Sequence, residues 1–173
     1  KQGSIPLSEY VAGEIRRGII TGLNEAFVID AGTRERLISD DPKSAEIIKP
    51  VLVGSDVDRY EINFNQRFLI WTYVGVDLSR YPAVAQHLSQ FQEQLERRWD
   101  KGDHWYELRP CTYYADFEKP KIIYPDIAAT CRFAYDDSGF FSTNTTYFIP
   151  ASFAALAHFS GLNFTGLNVS LSR

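Results

Sequence analysis

Methionine is absent from all 173 residues, even from the first position, so the chain is read as a segment of a longer protein whose other parts carry further functions. Cysteine is nearly absent as well. Cys111 and Cys131 stand alone, without the CxxC spacing of a zinc site and too few to staple a secreted scaffold, and they are expected as reduced thiols. No run of about eighteen apolar residues occurs, which excludes a helical membrane span. The opening KQGSIPLSEY lacks the apolar stretch of a secretory leader, so the cytoplasm is the expected compartment. There is no GxGxxG loop and no GKS or GKT phosphate cradle, and hence no support for dinucleotide or nucleoside triphosphate chemistry. No two prolines are adjacent, which removes the rigid loop that an amino-methyltransferase uses to grip a flipped base. The three histidines, His87, His104 and His158, lack HxxxH spacing and are expected as surface or packed imidazoles.

What remains is 45% hydrophobic and 14% aromatic, enough to build one globular domain with a real core. The formal charge of -4 counts against a nucleic-acid binder, because neutralising phosphates calls for surplus Lys and Arg. Charge distribution matters more than the sum, and acidic residues fall partly into the pairs Asp40-Asp41 and Asp136-Asp137, which can face away from a basic cleft.

The residue pattern predicts an α+β domain: a mixed, largely antiparallel sheet with one long amphipathic helix and short helices. Strands are expected at residues 26–30 (AFVID) after the turn at Gly22-Leu23-Asn24, and at residues 68–72 (FLIWT), where aromatic and branched side chains suit a pleated surface. Later strands are expected at residues 121–124, 132–135 and 140–149, with Asp136-Asp137-Ser138-Gly139 closing a hairpin and Pro125 marking a strand end. Short helices are expected at residues 33–38 and 44–48, the second capped by Ser44. The long helix starts at Pro82 and puts Val84, Leu88, Phe91, Leu95 and Trp99 on one buried stripe. Its other face, with Gln86, Gln90, Gln94, Arg97 and Arg98, is expected in solvent. The domain spans residues 1–150, and residues 151–173 form an atypical tail without charge before Arg173. One catalytic alternative is a magnesium-dependent nuclease in which Asp30 and Asp41 hold the ion beside Lys43.

Longer blocks carry a resemblance. Residues 13–30 (GEIRRGIITGLNEAFVID), 47–60 (IIKPVLVGSDVDRY), 81–95 (YPAVAQHLSQFQEQL), 105–110 (WYELRP), 117–126 (FEKPKIIYPD) and 132–149 (RFAYDDSGFFSTNTTYFI) resemble, in order, the TaqI-like C-terminal specificity domain. That family supplies the target recognition domain of type IIG restriction-modification enzymes and related adenine-specific DNA methyltransferases. Two departures stand out: Ser55 replaces the arginine usual in the G-R-D-I stretch, and residues 151–173 do not follow the family's leucine-rich helix.

The resemblance implies a division of labour. A methyltransferase domain of the same parent chain would bind S-adenosylmethionine, and Mg if the parent also cuts. This chain, without cofactor, metal or catalytic residue of its own, would grip duplex DNA, with no membrane partner. Thr21 and Asn24, in the T-G-x-N loop, and Thr143 and Asn144 are the candidate base readers; Asn24 is equally suited to a turn bonded to its own backbone. Arg59, Arg109, Lys119, Lys121 and Arg132 are the candidate phosphate or guanine contacts, with internal ion pairs from Arg109 to Glu107 and from Arg59 to Asp56 as the alternative. A second function class, a module docking such an enzyme in a defence complex, suits the acidic charge better.

Overall fold

Ten short strands in the computed structural model, which describes residues 15–150, form two four-stranded sheets and one small hairpin. The first sheet has β10 (Thr146–Pro150) between β1 (Arg16–Arg17) and β7 (Lys121–Pro125), with β8 (Ala134–Asp136) on the far side of β7, all antiparallel. In the second, β6 (Phe68–Ile70) lies between β2 (Val28–Ile29) and β3 (Ile48–Leu52), and β9 (Phe141–Ser142) pairs with β3 in the parallel sense. The hairpin joins β4 (Val57–Asp58) to β5 (Glu61–Ile62). The α+β class read from the sequence is the observed one.

Aromatic packing holds the sheets together. Phe117, from the one-turn helix Tyr114–Phe117, stacks 5.2 Å from Phe141 of the second sheet and 4.7 Å from Phe148 of the first. All three rings are fully buried. Phe27, Leu69, Ile70, Val84, Leu88 and Leu95 belong to the same buried core.

Several elements differ from expectation for identifiable reasons. Residues 26–30 do not form one strand, because helix Asn24–Phe27 turns the chain before β2 begins. The helix expected at 33–38 runs Ala31–Asp40, with Asp30 as its cap accepting from the Thr33 N–H at 2.7 Å. The next is a 3-10 turn, Pro42–Glu46, capped by Asp41 rather than Ser44. Residues 140–149 split into β9 and β10, and residues 143–145 carry the chain from one sheet to the other. The Asp136-Gly139 turn therefore closes no hairpin; β8 pairs with β7.

The long helix is two helices, Pro82–Ser89 and Gln92–Glu96. Between them the Gln90 and Phe91 N–H groups bond three residues back, to His87 and Leu88, which over-winds the turn and shifts the apolar stripe. Val84, Leu88 and Leu95 stay buried and Phe91 is half-buried, but Trp99 lies beyond the last turn and is 98% exposed. Arg98, expected in solvent, is the buried residue instead. His87 is also packed, its Nε2 donating to the Ala26 carbonyl at 3.1 Å, and burial lowers its pKa. No helix among the described residues is long and apolar enough to cross a membrane. His158 and the tail at 151–173 lie outside the described residues.

Candidate functional site

The crossover at residues 143–145 is where three parts of the chain meet. The Ile19 N–H donates to the Ser142 carbonyl at 2.7 Å, the Asn144 N–H to the Ile19 carbonyl at 2.9 Å, and the Thr143 N–H to the Leu52 carbonyl at 2.9 Å. The Gly54 N–H donates to Thr145 Oγ1 at 2.9 Å. Gly18 makes this approach possible, since a Cβ there would lie 1.9 Å from the Thr143 carbonyl oxygen. Thr143 is buried, its Oγ1 2.9 Å from Thr145 Oγ1, so it builds the turn rather than reaching outward. Asn144 is half-buried at the apex, and its carbonyl accepts from Arg17 Nε at 3.3 Å.

Arg17 was not singled out by the sequence, although two consecutive arginines on a strand must point to opposite faces. Arg16 turns to Asp116 at 3.4 Å. Arg17 stays exposed, 3.9 Å from Asp126 and over the ring of Tyr147. A groove of about 380 Å³ begins beside it, walled by residues 17–20 on one side and 109–114 on the other. Arg109 also lines it, exposed and 3.3 Å from Asp100. Exposed ion pairs of this kind hold weakly, so both guanidiniums can exchange a carboxylate for a phosphate oxygen.

The Thr21–Asn24 loop follows Ile20, a lining residue of the groove, in the chain. Thr21 is buried and its Oγ1 donates to Asn24 Oδ1 at 2.5 Å. Asn24 itself is exposed at the start of its helix. Asn24 Oδ1 keeps a second lone pair beside this bond, so a two-bond contact with adenine does not require the bond to Thr21 to break. Beneath the loop Arg98 donates to the carbonyls of Thr21, Asp100 (3.3 Å), Trp105 (2.8 Å) and Glu107 (2.9 Å), and lies over the Phe27 ring. Burial lowers its pKa to about 10, and the charge of Asp100 offsets that only in part.

The other sequence candidates divide. Arg59 is exposed beside the Tyr60 ring. Arg132 is half-buried, 3.8 Å from Asp58, and lines a second hollow of about 420 Å³ with Ser55, Ile127 and Thr145. Lys119 is exposed but bound to Asp116 at 2.8 Å, which together with Arg16 holds that carboxyl below its usual range. Lys121 leaves the phosphate-contact set: it is fully buried, its Nζ 2.5 Å from Asp136 Oδ2. Neither internal pair expected for the arginines forms. Asp56 bonds Arg67 at 2.8 Å and Asn65 at 2.7 Å. Glu107 accepts from the N–H groups of Gly75 (2.8 Å) and His104 (3.0 Å); burial opposes its ionisation, but these bonds prevail and lower its pKa.

The carboxylates of the nuclease alternative are helix caps, Asp30 for Thr33 and Asp41 for Lys43 and Ser44. Among the described residues no group of three or more His, Cys, Asp or Glu side chains is placed to hold a metal ion.

Comparison with known proteins agrees with the architecture. The TaqI-like C-terminal specificity domain matches residues 49–163. The matched span omits the block at residues 13–30 and takes in residues 151–163 of the tail that the motif comparison leaves unmatched. Type II methyltransferase M.PaeR7I of Pseudomonas aeruginosa is 20% identical over 160 residues, covering 86% of this chain and 26% of that protein. The type IIL restriction-modification enzyme MmeI, solved in complex with DNA, shares the fold at a TM-score of 0.58 and 17% identity, over 88% of this chain and 20% of that one. The chain thus spans about a quarter of the curated relative and a fifth of the solved enzyme.

Proposed function

The chain belongs to the TaqI-like C-terminal specificity domain family, and from that membership we propose that it reads duplex DNA sequence-specifically for a methyltransferase or restriction-modification enzyme, supplying recognition and no catalytic step. The observation that carries this reading is the groove itself. Arg17 and Arg109 both line it, Arg17 bonds the Asn144 carbonyl, and its lining residue Ile20 directly precedes the Thr21–Asn24 loop in the chain. Guanidiniums at the rim suit phosphates and fix register, while the amides suit base edges. Arg59, Arg132 and Lys119 are outlying backbone contacts in this scheme. S-adenosylmethionine, and Mg where cleavage accompanies methylation, belong to other parts of the parent.

Asn24→Ala is expected to cost about 1–3 kcal/mol at one base position and to leave binding to unrelated duplexes unchanged. Selection of bound duplexes from a randomised library, with the native chain and the variant side by side, checks this. A preference identical in both chains would reduce Asn24 to a turn former and leave Asn144 as the reader.

The net charge of -4 favours a second reading, a protein-docking module. Salt separates the two. Association with DNA that weakens linearly with the logarithm of salt supports recognition, whereas salt-insensitive association with a protein and none with DNA supports docking.

A further inference from the structure

Trp99 is 98% exposed, the barest large apolar side chain among the described residues. A single exposed apolar residue needs no explanation by itself. This one, however, is held in place by an independent feature. Its neighbour Arg98 is buried and bonded to the carbonyls of Thr21, Asp100, Trp105 and Glu107, so the backbone at residue 99 is tied to the same loop that carries Asn24. Gly22 completes the junction: its φ of 69° suits glycine, and a Cβ there would lie 3.0 Å from Arg98 Cδ and 3.4 Å from the Asp100 carbonyl oxygen. Lys101 closes the other side by donating to the Glu96 carbonyl at 2.6 Å. The indole is therefore presented from a braced backbone.

We infer that Trp99 is a base-stacking contact to DNA, packing its indole on a base next to the one that Asn24 reads. This rests on the DNA-recognition reading above. A flat, exposed π-surface carried on backbone that Arg98 ties to the loop of an amide reader fits a nucleobase, because a step opened by bending or base flipping offers a face to stack on. Arg98 acts as a positioning residue, keeping the stacking and reading groups at one fixed separation.

The test uses the 173-residue chain, its Trp99→Ala and Trp99→Phe variants, and the duplex selected from the randomised library. The indole touches almost nothing, so both variants are expected to keep the native melting temperature. Duplex binding is expected to quench tryptophan emission in the native chain and to leave the emission of Trp99→Phe, from the half-buried Trp71 and Trp105, nearly unchanged. Trp99→Ala is expected to weaken binding by about 5- to 150-fold, the range for loss of one stacked base, and Trp99→Phe to recover most of it. Equal affinity of Trp99→Ala and the native chain, or quenching that persists in Trp99→Phe, overturns the stacking role while leaving DNA recognition standing. Failure of the native chain to bind any duplex overturns both.

Discussion

Lys121→Ala is expected to destabilise the fold by about 3–5 kcal/mol, the cost of leaving a buried charge without its partner. The lysine and Asp136 are both fully buried, with Nζ 2.5 Å from the carboxylate and 2.5 Å from the Phe117 carbonyl. Burial pushes the ammonium pKa down and Asp136 pulls it back up, so the pair survives only while both members are present. Replacing both, as Lys121→Met with Asp136→Leu, is expected to restore only part of the loss. Asp136 also accepts the N–H groups of Ser138 (2.9 Å) and Phe140 (3.0 Å), which leucine would strand. Urea unfolding measures both effects. A loss below about 1 kcal/mol, accompanied by a salt slope of DNA binding smaller by about one unit, would instead make Lys121 an exposed phosphate contact.

Phe117→Ala is expected to cost about 3–5 kcal/mol and, for a domain of this size, to lower Tm by about 6–20 °C. The ring fills the space between Phe141 of one sheet and Phe148 of the other, and the contacts of its helix neighbours, Tyr114 with Trp71 and Asp116 with Arg16, keep the helix from moving in to close the cavity. Because Phe141 lies two residues before Thr143, the same cavity would loosen the crossover turn that carries Asn144. Half-buried Phe91 serves as the comparison: Phe91→Ala should shift Tm less. Equal shifts for the two variants would mean that the sheets are held together elsewhere.

The sequence made the strands legible where β-forming side chains run together, as at residues 68–70 and 121–125, because a buried strand needs little besides that pattern. It misled where the outcome depended on partners distant in the chain. Lys121 reads as a surface cation until Asp136, fifteen positions later, is found opposite it across β7 and β8. Trp99 fits the helical stripe by spacing, and only the tightened turn at Gln90 and Phe91 explains why Arg98 points inward instead. The four carbonyls that receive Arg98 come from two loops, the one at Thr21 and the long irregular segment 97–113 to which Arg98 itself belongs, and no periodicity announces such a site. Asn24 and Asn144 could be named from residue chemistry, but the crossover that holds Asn144 beside the groove-lining residues 17–20 depends on Gly18 meeting residue 143 across the fold.

Sequence-specific recognition is tested most directly by competition between the selected duplex and the same duplex with its bases permuted, titrated with the native chain over a range of salt concentrations. Both complexes are expected to weaken linearly with the logarithm of salt, since phosphate contacts are common to them. At any one salt concentration the selected duplex should bind about a thousandfold tighter or more, because only it satisfies the base readers. Equal affinity for the two duplexes at every salt concentration would contradict sequence-specific reading by this chain.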